Sequence, residues 1–185
     1  WQVNLSGLLN LNHSKAKQAG LIDKTEPIEI YTYSLQHPTQ GTYLIDSGVS
    51  RRFKNPDHLQ SVSYLVSKAM GVDKIQLQES TAQIAQQFGG IKGVFLTHIH
   101  LDHIMGISDL PPSTEVYIGP GDASLTAPLH MATQGTTDRL IGEHRTLLEW
   151  AFNNEGVIDV FGDGSLWAIH APGHTPGATA YIART

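Results

Sequence analysis

The sequence predicts a mixed α/β domain built in layers, and two observations predict it. Segments in which apolar and polar residues alternate, as they do in half-buried strands, follow one another in pairs. Segments with the period of an amphipathic helix lie between these groups of strands. This order favours stacked layers of helices and hairpins over a doubly wound parallel sheet.

The composition fits a single globular domain, which we assign to residues 1–185. Of these 185 residues, 40% are hydrophobic and 16% are charged. The net charge of −5 argues against a nucleic-acid partner, and no apolar stretch is long enough to span a bilayer. Since cysteine is absent, disulfides and thiolate metal sites are excluded. A cytoplasmic and an exported location both stay open, as does the oligomeric state.

The first half of the chain predicts helices and one hairpin. Its strands alternate apolar and polar residues on either side of a short loop, so we expect them to pair. Its helices are predicted from apolar residues that recur on one face. The predicted strands lie at 27–36 and 42–48, and the predicted helices at 13–21, 57–70 and 79–89, the last with Gly89 as its stop.

The second half predicts strands around a long, mostly helical insertion. The insertion covers about 121–156, and its clearest helical pattern runs over 139–152. The turn Gly162-Asp163-Gly164 is a strong hairpin signal between two strands. The other predicted strands lie at 91–100, 113–119 and 175–185.

Four side chains of types that can bind metals lie within six positions, directly after an apolar segment that is predicted to be a strand. In an extended segment residues two apart share a face, so His98 and His100 are expected to project together. Asp102 and His103 come just after the predicted strand, where the chain can turn and direct them to a neighbouring point. There they would hold a second ion. Imidazole and carboxylate donors suit zinc, and also iron or manganese. The alternative is that Asp102 is only the N-cap of a helix that begins near His103.

A third donor to the first ion must come from elsewhere, since a catalytic site usually has three protein ligands. The segment 170–180 offers two histidines. His174 lies in a loop rich in proline and glycine, where bends can aim a side chain at a site. His170 lies on the preceding strand, where a surface or cross-strand role is more common. We therefore choose His174 as the ligand.

These residues resemble the metallo-β-lactamase superfamily. The segment "THIHLDH" is similar to its His-x-His-x-Asp-His signature, "APGHTPG" to its next histidine motif, and "YLIDSG" to an early strand that ends in an aspartate. The resemblance implies an αββα sandwich with two metal ions, expected to be zinc, at one edge of the sheets. It implies that the first ion is bound by His98, His100 and His174 and the second by Asp102 and His103, while Asp46 orients the metal-binding loop without being a ligand.

One departure from the family pattern concerns the end of the chain. Family members usually continue to an aspartate that bridges both metals and then to a further histidine. Here the sequence ends at Thr185, eleven residues after His174. We therefore expect this chain to be the first part of a longer protein, without the C-terminal part of the sandwich. The general acid would then also lie outside this chain.

The resemblance implies a hydrolase in which a metal-bound hydroxide, oriented by Asp102, cleaves a small ester, lactone or thioester. Members with a comparable insertion include acyl-homoserine lactonases, so a lactone with an apolar tail is the first expectation. The alternatives are a β-lactam hydrolase, a nuclease of the same fold and a non-catalytic relative.

The apolar residues of the insertion could wall the substrate pocket, although most of them are expected to pack onto the core. His130 and His144 are expected on the surface. The apolar residues are Leu125, Leu129, Met131, Leu147, Leu148, Trp150 and Phe152.

Overall fold

The computed structural model describes residues 2–4, 25–27, 29–54, 72–124, 128–142 and 145–185. Side chains are described for 29–53, 72, 74–124, 135–142 and 145–185. Within these residues a helical layer, a five-stranded sheet and a three-stranded sheet are stacked in that order. The layered α/β architecture predicted from the sequence is therefore confirmed.

The larger sheet begins with the predicted antiparallel hairpin and continues with parallel strands. Its order is β3-β4-β5-β6-β7, and only the β3–β4 pair is antiparallel. The expectation that hairpins dominate is wrong for this sheet. The long connections after β4 and β5 carry the chain back to the edge where the preceding strand began, so that the next strand runs parallel to it. The strands are β3 (Tyr33–His37), β4 (Gly41–Ile45), β5 (Gly93–Phe95), β6 (Glu115–Ile118) and β7 (Leu147–Glu149).

The smaller sheet is an antiparallel meander of three strands, as the turn at Gly162 and Gly164 predicts. Both glycines have positive φ, of 73° and 71°, which an L-residue with a side chain rarely adopts. A separate two-stranded sheet pairs β1 with β2. The strands are β1 (Gln2–Asn4), β2 (Thr25–Pro27), β8 (Val157–Asp159), β9 (Leu166–His170) and β10 (Thr179–Ala183).

The described helices are α1 (Thr81–Gln87), α2 (Leu101–Ile104) and α3 (Pro128–Ile141), with 3₁₀ turns at Arg51–Lys54, Val72–Lys74, Ile107–Asp109 and Asp122–Ser124. Helix α1 begins and ends close to the prediction. Ser80 and Gln83 form a reciprocal capping box at its start, and Gly89 follows its end with φ of 70°. Among the described residues, no helix combines the length and apolar character of a membrane-spanning segment.

The predicted helix at 139–152 is wrong. Helix α3 stops at Ile141, and Gly142 takes a left-handed φ of 92° directly after it. Leu147–Glu149 then forms β7 and pairs with β6. The apolar spacing there fits a helix and a strand equally well, and pairing with an open sheet edge decides for the strand.

Several predicted strands are shorter than expected. The strand predicted at 91–100 covers only Gly93–Phe95, the one predicted at 175–185 covers Thr179–Ala183, and the one predicted at 27–36 covers Tyr33–His37. Thr25–Pro27 overlaps the last of these predictions at residue 27 alone and pairs with β1. The helices predicted at 13–21 and 57–70, and His130 and His144, lie outside the residues whose side chains are described.

The two faces of the larger sheet bury different side chains. Leu44, Val94 and Val116 lie side by side on neighbouring strands, are fully buried, and pack with the described helices. The next residues along the strands face the other way, so Phe95 contacts Tyr181 of β10 with ring centroids 5.9 Å apart. Because strand side chains alternate, the same three-residue strand joins both layers.

Arg145 joins two backbone segments by donating to four carbonyl oxygens through one guanidinium. Its nitrogens donate to the carbonyl oxygens of Thr114 (2.7 Å), Leu110 (3.0 Å), Ile141 (3.1 Å) and Ile107 (3.5 Å). These carbonyls belong to the end of α3 and to the connection between α2 and β6. A planar group with five donors suits this task, whereas a lysine cannot reach several carbonyls in one plane.

We expect Arg145→Ala to lower the free energy of unfolding by about 2–3 kcal/mol, because charged hydrogen bonds to partly buried carbonyls are lost. Arg145→Lys should fall between this variant and the wild type. Urea denaturation measures both. The matched control is Arg51→Ala at an exposed position, with an effect within about 0.5 kcal/mol. Equal effects at the two arginines would contradict the proposed role of Arg145.

Candidate metal centre

Three histidine side chains converge at one edge of the two sheets. One ring nitrogen each of His98, His100 and His174 lies within 4.8 Å of the other two. Nδ1 of His100 and Nε2 of His174 are 3.0 Å apart. His98 and His100 come from the connection after β5, and His174 from the loop between β9 and β10. The five-stranded sheet thus supplies two of the imidazoles and the three-stranded sheet supplies the third.

The local geometry differs from the predicted strand end. Strand β5 stops at Phe95, so His98 and His100 lie in the turn that leads into α2 rather than on a strand. His100 is the N-cap residue of α2, with extended backbone. The alternative in which Asp102 caps a helix near His103 is therefore wrong, because Asp102 lies within the first turn of α2.

The three imidazoles fit a divalent metal ion. Burial, followed by the repulsion of neighbouring histidines, lowers the pKa of His98 to about 3. His98 is therefore neutral at physiological pH, which is the form that coordinates a metal. Three nitrogen donors so close together are the donor set that zinc takes in catalytic sites, and they also suit iron or manganese.

Asp102 and His103 lie beside this group. The ring of His103 is 4.0 Å from that of His98 between centroids, and its Nε2 is 3.4 Å from Oδ2 of Asp102. Burial disfavours the charged imidazole, but hydrogen bonds to the carboxylates of Asp102 and Asp46 outweigh it and raise the pKa of His103 to about 9. Burial likewise opposes the charge of Asp102, whose pKa is nevertheless lowered by His103.

The carboxylate of Asp46 lies beneath the histidines. It accepts hydrogen bonds from Nδ1 of His103 (2.8 Å), the backbone N–H of Thr97 (2.8 Å) and the Thr97 hydroxyl (3.0 Å). Asp46 is buried and has a positive φ of 54°, which aspartate tolerates better than most residues. With Nδ1 of His103 bound to Asp46, its Nε2 is the nitrogen that faces Asp102.

Two hydroxyl groups near the site were not predicted from the sequence. The Thr97 hydroxyl lies 3.1 Å from Nδ1 of His98 and 3.2 Å from Nδ1 of His103, in addition to its contact with Asp46. The Ser47 hydroxyl donates to the carbonyl of His103 and accepts from the N–H of Gly106. Thr97 belongs to the "THIHLDH" segment and Ser47 to the "YLIDSG" segment, and this membership is the one signal that could have indicated them.

His170 is not part of the group. It ends β9, donates from Nε2 to the carbonyl of Pro176 (2.8 Å) and stacks on Phe152. Trp150 stacks on Tyr117 with ring centroids 4.6 Å apart and lies between the sheets. Trp150 and Phe152 therefore pack within the domain, as expected for most apolar residues of the insertion. Leu125, Leu129 and Met131 lie outside the described side chains.

We expect the metal-free protein to be most stable near pH 6.5, the ordinary histidine pKa. His103, with its raised pKa, stabilises the fold fully below pH 6.5 and loses this contribution as the pH rises towards 9. His98, with its lowered pKa, stabilises the fold above pH 6.5 and loses this contribution as the pH falls towards 3.

Urea denaturation in the presence of a chelator measures this profile. His103→Gln should flatten the alkaline side, and His98→Gln should flatten the acid side. Variants with the same pH dependence as the wild type would show that neither histidine is responsible.

The comparisons with known proteins agree with this geometry. The sequence model of the Metallo-beta-lactamase superfamily matches residues 27–183. The metallo-hydrolase mfmC of Annulohypoxylon moriforme is 27% identical over 169 residues, which are 84% of this chain and 44% of that protein. The gamma-lactamase FDB1 of Fusarium pseudograminearum is 26% identical over 173 residues, with 84% of this chain and 41% of that protein covered. The chain thus spans less than half the length of these two relatives.

A solved structure shows the same fold. The crystal structure of a quorum-quenching N-acyl homoserine lactone lactonase superposes with a TM-score of 0.64 at 17% sequence identity. The match covers 98% of this chain and 63% of that one. Together with the family model, which covers most of the sequence, this similarity confirms the resemblance predicted from the histidine motifs. The chain belongs to the metallo-β-lactamase superfamily.

Proposed function

We propose that this chain carries the metal-binding part of a metal-dependent hydrolase that opens a small cyclic ester. The observation that carries the proposal is the group of three imidazoles whose nitrogens lie within 4.8 Å of one another. The names of the similar proteins, a metallo-hydrolase, a gamma-lactamase and a lactonase, support hydrolysis as the reaction class. The convergence of the three imidazoles also argues against a non-catalytic relative.

The proposed ligands form two groups. His98, His100 and His174 would hold one ion, and Asp102 with Nε2 of His103 would contribute to a second. We expect zinc, with iron or manganese as the alternatives, because the donors are nitrogen and oxygen atoms. Bound divalent metal polarises a carbonyl oxygen and brings the pKa of water towards neutrality.

The remaining residues hold these ligands in place. Asp46 accepts a hydrogen bond from Nδ1–H of His103, so Nε2 is the nitrogen that would coordinate a metal once the metal displaces its proton. Thr97 ties the same carboxylate to the connection that carries His98 and His100. Asp102, on the first turn of α2, keeps its negative charge close to His103 and would orient the nucleophile.

The proposed substrate is a lactone with an apolar tail. The lactonase with the same fold supports this choice, and the gamma-lactamase relative makes a cyclic amide the second candidate. Both substrates have a ring carbonyl that a hydrolase of this kind attacks. A nucleic-acid substrate is disfavoured by the net charge of −5.

Metal binding is the first test. We expect the purified protein to bind zinc, and His174→Ala to bind it at least about 100-fold more weakly, because one of three donors is lost. Isothermal titration and metal analysis measure affinity and stoichiometry. His37→Ala is the matched control, since His37 lies at the end of β3 and binds Asp163 instead. Equal zinc affinity in both variants would exclude the proposed ligand set.

Hydrolysis is the second test. We expect the zinc-loaded protein to open an acyl-homoserine lactone faster than a γ-lactam of equal tail length, and a chelator to abolish both reactions. His98→Ala and Asp102→Asn should lower the rate by at least about 100-fold, whereas His37→Ala should not. Bound zinc without hydrolysis of either ring would leave a metal-binding protein and reject the proposed activity.

A further inference from the structure

Asp122 is a buried carboxylate that the proposed chemistry does not use. Its exposed fraction is 0%, and it lies just after β6, at the start of a 3₁₀ turn. Its two oxygens accept hydrogen bonds from the backbone N–H of Gly177 (2.7 Å) and the hydroxyl of Thr175 (3.1 Å). No ion pair of Asp122 occurs among the described residues. Burying a carboxylate lowers the stability of the fold unless hydrogen-bond donors satisfy its oxygens. We therefore expect the buried position of Asp122 to serve a specific role.

Both donors belong to the loop that carries His174. Thr175 follows His174 directly, and Gly177 comes two residues later. The N–H of Gly173, which precedes His174, donates a hydrogen bond to the carbonyl oxygen of Thr175 and further restricts the backbone around His174. The carboxylate of Asp122 therefore restricts the backbone conformation of the loop that carries the imidazole of His174.

The contact between the two loops is close enough to exclude side chains. A Cβ atom on Gly119 would lie 1.6 Å from the carbonyl oxygen of Gly177, and one on Gly177 would lie 2.8 Å from the carboxyl carbon of Asp122. Because both residues are glycine, the loop before β10 can lie directly on the loop after β6. Asp122 therefore lies where the two loops are in direct contact.

We propose that Asp122, through Thr175 and Gly177, is a positioning residue that holds His174 in place to bind metal with His98 and His100. This inference rests on the proposed metal site. His98 and His100 come from one connection, whereas His174 comes from the other sheet and is exposed. The ligand that is least supported by its surroundings is therefore the one whose loop has a buried anchor.

Three variants test the proposal. Thr175→Val removes the hydroxyl while keeping the shape of the side chain, Thr175→Ser keeps the hydroxyl, and Asp122→Ala removes both acceptors. Thr137→Val is the matched control. Thr137 is equally buried, and its hydroxyl has no hydrogen-bond partner among the described residues.

We expect Thr175→Val and Asp122→Ala to bind zinc about 10- to 100-fold more weakly, as when other groups that orient metal ligands are removed. Thr175→Ser and Thr137→Val should keep the wild-type affinity. Titration calorimetry measures these affinities. If Asp122→Ala does not fold, the two Thr175 variants decide the question.

The metal-free protein provides a second readout. In the wild type we expect the His174 ring to give distinct ¹⁵N resonances for its two nitrogens, because Nε2 lies 3.0 Å from Nδ1 of His100. In Thr175→Val the two ¹⁵N resonances should move towards each other, because the His174 ring is no longer held next to Nδ1 of His100. Thr137→Val should leave them unchanged.

Wild-type zinc affinity and unchanged His174 resonances in both Thr175→Val and Asp122→Ala would overturn the proposal, even if those variants unfold more easily. A wild-type protein that binds no zinc would reject the proposed function instead. In that case the His174 resonances alone decide whether Asp122 holds the ring.

Discussion

Three donors converge on the carboxylate of Asp46, and the arrangement of the candidate metal centre depends on this contact. The backbone of Thr97 belongs to the connection after β5, and the imidazole of His103 belongs to α2. Asp46 itself directly follows β4, so one buried carboxylate joins a strand, a turn and a helix. The cost of burying that charge is offset only while all donors are present, which restricts the relative positions of these elements.

The parallel part of the larger sheet explains why these groups meet. The carboxyl ends of β4 and β5 lie at the same edge of the sheet, because the two strands run in the same direction. Asp46 follows β4, and Thr97 and His98 follow β5, so they lie close together without any further constraint. The antiparallel hairpin alone would send the next strand's end to the opposite edge.

The three-stranded sheet supplies His174, the third histidine of the candidate metal centre. The N–H of Thr179, at the start of β10, donates to the carbonyl of Thr97, and the hydroxyl of Tyr181 donates to the carbonyl of Leu96. These bonds fasten β10 to the connection that bears His98. The loop before β10 is thereby held close to that connection, which brings His174 to the site.

Short-range signals made part of the structure predictable. The capping box at Ser80 and Gln83, and the turn at Gly162 to Gly164, depend on residues a few positions apart. The same is true of the His-x-His-x-Asp-His spacing that indicated the metal site and the family. Such signals could not decide the state of 147–149, where an open edge of β6 pairs with an apolar segment that also fits a helix.

The sequence by itself therefore determined the class of fold and the family, and it predicted the candidate metal ligands, because all of these depend on residue types and local spacing. Only the tertiary structure decided that the larger sheet is mostly parallel, that His103 bonds to Asp46, and that Asp122 contacts the loop of His174. The physical reason is separation along the chain. Asp46 and His103 are 57 residues apart and Asp122 and Gly177 are 55 apart, so no local pattern links them.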